Sequence, residues 1–261
     1  MLGFFRSLRA FDLKGSYVHK ERETIVIECE GKKLMQIPIH SIVNVFCFGN
    51  VLVSPAFLGF CGDQGVGVAF FTEYGRFYGR LQGAQSGNVL LRRAQYSVSK
   101  SMSLEIARSV VGAKLLSARR LLLRQQRNFG ERESFSEAVK HLTASARTAQ
   151  FADSVESLRG VEGDAAAIYF SVFNDLVRGE QKNDFFFNRR SRRPPRDRIN
   201  AMLSFVYSVL GNDIAAALNG VGLDPQIGFL HVDRPGRDSL AQDLLEEFRP
   251  WLADRLVLSL I

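Results

Sequence analysis

Four histidines occur in the 261 residues, and their settings differ. His19 and His40 lie near turns of a strand-rich stretch with no acidic cluster at ligand spacing, and His141 lies in a polar helical stretch. All three are expected to be structural or surface residues. His231 follows Ile227-Gly228-Phe229-Leu230 and precedes Val232-Asp233-Arg234-Pro235-Gly236-Arg237. An irregular segment flanked by Gly and Pro thus delivers its imidazole, which is the usual setting of a functional side chain. In the helix expected next, Asp243, Glu246 and Glu247 fall at i, i+3 and i+4, so their carboxylates share one face beside Leu240, Leu244, Leu245 and Phe248. Carboxylates this close repel unless a cation or solvent relieves them; a solvated acidic face is the plainer alternative. Glu162 lies between Gly160 and Gly163 and precedes Ala165-Ala166-Ala167, where small residues permit close approach. It reads equally as an ordinary first-turn glutamate favoured by the helix dipole.

Two carboxylates and one imidazole, completed by water, suit a divalent cation. The oxygens favour Mg²⁺ or Mn²⁺ and the nitrogen tilts the choice toward Mn²⁺ or another transition metal. Such an ion can polarise a phosphodiester and activate water or a hydroxyl for in-line attack. The charge distribution agrees with a polyanionic substrate. Lys182 to Arg198 carries seven basic residues against Asp184 and Asp197, and Arg92 to Arg127 carries nine against Glu105. The net charge is only +7, so the rest of the chain is acidic. Segregated charge makes a positive surface rather than a uniform coat. A solvated helix face is the alternative, above all for the Arg92–Arg127 block.

These residues must be positioned by two unlike halves. From Gly15 to Leu81 short β segments are separated by Gly and Pro: residues 24–30 and 34–38 form a hairpin, followed by strands at 42–48, 51–53, 66–71 and 77–81. Val43 to Phe48 is too apolar for a one-faced sheet, so two packed sheets are expected. Beyond Leu90 the apolar spacing turns helical, with helices over 94–127, 134–148, 152–158, 161–177, 198–210 and from Asp238 onward, the last interrupted at Pro250. The fold class is therefore α+β in two domains: an all-β domain over 1–85, a linker at 86–93, and an all-α domain over 94–261. The apolar run Leu256 to Ile261 should need a cover from further sequence or a partner.

Composition excludes several classes. An apolar fraction of 46% with 21 Phe rules out a disordered chain. No stretch approaches 18–20 uninterrupted apolar residues, which argues against a membrane span. The opening MLGFFRSLRAFDLKG is interrupted by Arg6 and Arg9 and lacks a small-residue cleavage site, so it does not read as a signal peptide. Cys29, Cys47 and Cys61 show no CxxC spacing and read as small buried thiols, which fits a reducing cytoplasm.

Four segments carry a family resemblance. Arg159-Gly160-Val161-Glu162-Gly163-Asp164-Ala165-Ala166-Ala167 resembles the Glu-containing motif of the CRISPR-associated adaptation integrases, the Cas1 family. Asn188 to Phe205, with Arg192-Arg193-Pro194-Pro195-Arg196-Asp197-Arg198-Ile199-Asn200-Ala201, is similar to its second signature. Gly228-Phe229-Leu230-His231 and Ser239 to Pro250 are similar to the remaining two, in the family's order. The resemblance implies that Glu162, His231 and Glu246 are catalytic metal ligands for Mn²⁺ or Mg²⁺, with Asp243 an auxiliary acid. It implies that Arg189, Arg190, Arg192, Arg193 and Arg196 lie along the DNA path. Arg249 would be a weaker phosphate contact, with carbonyl capping as the alternative. It further implies a prokaryotic cytoplasmic homodimer that assembles with the Cas2 protein, binds double-stranded prespacer and repeat DNA, and inserts fragments into the CRISPR array by 3′-hydroxyl attack, or acts as an endonuclease when water attacks. Family members usually continue beyond the motif ending at Pro250, so this chain resembles a shortened member. A basic DNA-binding scaffold whose acids form only salt bridges, and a stand-alone repair nuclease, are the competing readings.

Overall fold

A computed structural model describes residues 15–81, 83, 88–177, 179–192 and 194–261. The opening segment, most of the expected boundary at 82–87, and Arg193 lie outside the described residues. The chain divides into two compact units, Met1–Gly87 and Asn88–Ile261.

The first unit has two sheets. One has the order β3-β2-β1-β5, from β1 (Ser16–Glu21), β2 (Thr24–Cys29), β3 (Lys32–Pro38) and β5 (Leu52–Val53). The other has the order β4-β6-β7, from β4 (Asn44–Phe48), β6 (Gly67–Phe71) and β7 (Phe77–Leu81). Glu30 and Gly31 both take positive φ between β2 and β3, the two-residue turn whose twist matches a hairpin. The strand pattern alone did not show α1 (Pro55–Asp63), which starts on a Ser54 cap with Pro55 in its first turn. Its Phe57, Phe60 and Cys61 share one core with Val18 and Ile25 of the first sheet and Cys47 and Val68 of the second. Burial pushes the Cys47 and Cys61 thiols up to about 11, as inert core thiols require, whereas Cys29 is half-buried.

The second unit is helical. It comprises α2 (Val89–Tyr96), α3 (Lys100–Phe129), α4 (Glu133–Gln150), α5 (Val155–Ser171), α6 (Arg198–Gly220), α7 (Ser239–Phe248) and α8 (Arg255–Leu260). Helix α2 begins within the stretch expected to be a linker, capped by Asn88. The expected helices at 152–158 and 161–177 are largely one element, α5, because Gly160 and Gly163 are absorbed without a break. At Pro250 the regular α-helix is interrupted, as expected, and α8 begins after the break. A wide π turn over Arg249–Asp254 carries the chain from α7 into α8 and accommodates a ring that has no N–H to donate.

Helix α3 packs on α4, α5 and α7, and α6 packs on α7. Leu115, Leu122, Leu142, Leu158, Phe173, Phe187, Ile199, Leu203 and Leu245 are fully buried among them, each worth about 1.5–3 kcal/mol of transfer free energy. Length and composition would let α6 cross a membrane, a test that core helices also meet. One of its faces buries Ile199, Leu203, Ile214 and Leu218 in this core. In α8, Val257 is fully buried and Leu258 packs on the core while Leu260 is exposed, so the chain itself covers part of the run expected to need an outside cover.

Candidate active site

Three elements converge. Helix α5 supplies Glu162, the loop between α6 and α7 supplies His231, and α7 supplies Asp243 and Glu246. Glu162 is just past the second turn of a helix that starts at Val155, so the first-turn dipole reading does not hold. A Cβ added at Gly160 or Gly163 would meet nothing within 4 Å, so these glycines leave open space beside Glu162 rather than admitting a neighbouring backbone.

The His231 loop is clamped from two sides. The carboxylate of Asp243, fully buried, accepts the backbone N–H groups of Phe229 (2.6 Å), Leu230 (2.9 Å) and His231 (3.0 Å). It also meets His231 Nδ1 at 2.7 Å. Facing a carboxylate, Nδ1 is the donor of this contact, which turns Nε2 toward the site. From α5, the Arg159 guanidinium donates to the Leu230 carbonyl through Nε (2.8 Å) and Nη2. Both Asp243 oxygens are thus occupied, which makes this residue an anchor of the histidine rather than a free ligand. At Gly228 an added Cβ would lie 2.8 Å from Ser239 Cβ and 2.9 Å from the His231 carbonyl oxygen. Only glycine fits where the loop passes the start of α7.

Glu246 is nearly fully buried, and His231 Nε2 lies 3.9 Å from its Oε1, which also accepts from Arg249 Nη1. Its Oε2 lies 2.6 Å from Lys114 Nζ, but the orientation gives that oxygen no hydrogen bond. The same ammonium donates to Glu162 Oε1. Burial pushes the Glu246 carboxyl up, but the Lys114 and Arg249 charges together outweigh it and hold the group at about 2. Among the described residues no three acidic, His or Cys side chains close around one point, because Lys114 stands between the two glutamates. Glu247, expected on the same face, is half-buried with its carboxyl pushed up by burial and forms no ion pair among the described residues.

Lys114 was counted only among the basic residues of α3. The signal that could have found it is its place on the buried stripe with Val110, Val111, Leu115, Ala118 and Leu121. A lysine on an apolar stripe needs an acidic partner. Of the other histidines, His19 pairs with Glu28 and His141 with Asp164.

The arginines divide into two groups. Arg189, Arg192 and Arg196 are exposed. Arg190 is held internally: it donates to Asn200 Oδ1 (2.7 Å) and to the Ser191 carbonyl, and lies over the Tyr207 ring at 5.3 Å. Arg249 is buried, donates to Glu246 and to the side-chain amide oxygen of Gln242 (3.4 Å), and lies 4.9 Å from the same ring; among the described residues it bonds no backbone carbonyl. Buried Asn200 ties the segment down, donating to the Arg189 carbonyl and accepting from the Ser191 N–H, while Asp197 caps α6. Below Tyr207, Asp254 accepts from the Tyr169 (2.8 Å) and Tyr207 (2.5 Å) hydroxyls. A cleft lined by Lys114, Arg190, Arg192, Tyr207, Arg249 and Asp254, and by apolar residues such as Leu115 and Phe170, reaches the two cations that pair with the glutamates.

A β unit followed by this helical unit is a fold shared with solved structures. A Cas1 protein from Thermotoga maritima superposes with a TM-score of 0.76 at 26% identity, over 95% of this chain and 76% of that one. A casposase bound to its integration product gives 0.76 at 26% identity, over 95% and 70%. The family described as CRISPR associated protein Cas1 matches residues 11–261, and the chain belongs to that family. It is 46% identical to a CRISPR-associated endonuclease Cas1 of Chlorobaculum tepidum and 44% identical to one of Rhodospirillum rubrum, in each case over 95% of this chain and 74% of the relative.

Proposed function

We propose that this chain is a metal-dependent DNA endonuclease and integrase of CRISPR adaptation. In this reading it works in the prokaryotic cytoplasm as a homodimer with a Cas2 partner, and joins short DNA fragments to the repeat by attack of a 3′-hydroxyl on a phosphodiester. One observation carries the reading: carboxylates from α5 and α7 share a single cation, and Nε2 of His231 faces one of them. The donor set suits a divalent ion. Two glutamates and an imidazole match Mn²⁺ or Mg²⁺, one buried Glu246 oxygen lacks a hydrogen bond, and an ammonium already occupies the cation's place. Glu162, His231 and Glu246 would hold the ion, which would supply Lewis-acid activation of the attacking hydroxyl or water.

The chain's own residues do the rest. Asp243 and Arg159 fix the orientation of His231, and Arg249 orients Glu246. Exposed Arg189, Arg192 and Arg196 supply charge for phosphates, with Arg193 beside them in sequence, while Arg190 and Arg249 act from the cleft wall. Glu162→Gln, His231→Ala and Glu246→Gln are each expected to abolish strand transfer while leaving DNA binding intact; normal integration by any of them overturns the site. The Lys114 bridge also favours a second reading, in which the acids serve only as salt-bridge partners in a DNA-binding scaffold. That reading predicts nicking and joining assays blind to chelator.

A further inference from the structure

Lys114 is set into the core of the helical unit by its stem and ends between two acids. Its side chain is 11% exposed, against 24% for Glu162 and 4% for Glu246. With Arg249 on Glu246, the four charges balance: two cations face two carboxylates, of which Glu246 is shielded from water and Glu162 is the more open. Unopposed carboxylates at this depth would repel, so the lysine keeps the pair assembled. A divalent ion cannot use those carboxylates while the ammonium lies between them, and two cations on the same oxygens would repel in turn. The direction open to the ammonium is the adjoining cleft, whose charged lining Lys114 shares with Arg190, Arg192 and Arg249 and whose apolar lining comes from Leu115, Leu142 and Phe170.

We propose that Lys114 is the resident cation of this site: it holds Glu162 and Glu246 together when metal is absent, and an incoming divalent ion displaces its ammonium into the arginine-lined cleft, where it becomes a further charge for a DNA phosphate. This rests on the reading of Glu162, His231 and Glu246 as metal ligands. Metal entry then does two things at once. It fills the acidic pair and releases a cation toward the substrate, so the cleft gains positive charge only when the site is loaded. Lys114 acts on metal and phosphate by position, without itself transferring a group.

The test uses the whole chain and two measurements. In the wild type, the rate at which an amine-reactive reagent labels Lys114, followed by mass spectrometry, is expected to rise several-fold when Mn²⁺ is added, and to stay flat in Glu246→Gln. In Lys114→Met, the apparent Mn²⁺ affinity by electron paramagnetic resonance is expected to tighten by roughly tenfold, because no ion pair must be broken first. Labelling unchanged by bound Mn²⁺, or an affinity no tighter than wild type, overturns the proposal. If Lys114→Met does not fold, the wild-type labelling decides alone. If Mn²⁺ binding is indifferent to both Glu162→Gln and Glu246→Gln, the ligand assignment itself fails and the proposal falls with it. If those variants lose Mn²⁺ but Lys114 neither gains reactivity nor affects affinity, only the role of Lys114 is refuted.

Discussion

Asp243 accepts three consecutive backbone N–H groups and the His231 ring, all with one buried carboxylate. Asparagine in its place offers one acceptor oxygen and turns two donors toward groups that can only donate. Asp243→Asn is therefore expected to cost roughly 2–3 kcal/mol of stability, read by denaturant unfolding. It should also weaken Mn²⁺ binding by roughly 10–100-fold, read by titration, although Asp243 is no ligand. A second carboxylate sets a pH dependence. Burial pushes Asp254 up to about 6, against which the Tyr207 and Tyr169 hydroxyls and the two nearby arginines pull only partly. In the unfolded chain an aspartate titrates near 3.9. The folded protein thus keeps this proton to higher pH, and the stability that follows is complete below about 3.9 and lost as pH rises through about 6. Comparing Asp254→Asn with the wild type in unfolding at pH 4 and pH 7 is expected to show the variant gaining up to about 3 kcal/mol relative to wild type at the higher pH. A difference independent of pH would show that Asp254 ionises normally.

At the scale of elements, the site depends on how one irregular loop is held among three helices. The loop from α6 to α7 is fixed by Asp243 on α7, Arg159 on α5, the buried Gln95 of α2, which bonds Asp224 and the Ile227 carbonyl, and the close passage at Gly228. Gly228→Ala must move Ser239 or the His231 carbonyl, both of which are backbone-anchored at about 3 Å from the new methyl group. The expected result is a loss of about 1–3 kcal/mol in thermal unfolding, with strand transfer falling further than stability alone would explain, because His231 shifts with the loop. The π turn at Arg249–Asp254 serves the same geometry. It brings Arg249 back onto Glu246 and Asp254 onto the Tyr169 and Tyr207 hydroxyls, with Tyr207 touching both residues.

For the whole molecule, the governing quantity is the distribution of charge. The arginines after Asn188 fall into those that tie the segment down and those that stay exposed, so a salt titration can separate them. Replacing Arg189, Arg192 or Arg196 by Ala is expected to weaken DNA binding at every sequence and to lower the slope of log K against log salt by about 1 for each residue. Arg190→Ala should instead loosen the segment that Asn200 anchors and reduce stability, a contrast that filter binding and calorimetry would show.

The amino-acid sequence by itself determined the two-part layout, because period-2 and helical apolar patterns are local properties that survive without tertiary contacts. It brought out His231, Glu162 and the face of Asp243, Glu246 and Glu247 as candidates, since flanking glycines and helical spacing are also local, while the choice of Glu246 from that face came from the family resemblance. Only the folded chain decided what depends on which elements meet. The apolar spacing suggests two helices, over 152–158 and 161–177, yet α5 runs unbroken from Val155 to Ser171. Asp243 and Glu246 share a helix face, yet one ends up anchoring a loop and the other facing a lysine. Lys114 looked like one more solvated charge among nine until α3 was packed against α5 and α7. Whether a charged side chain meets water or an opposite charge is fixed by burial, and burial is a property of packing between segments far apart in the chain.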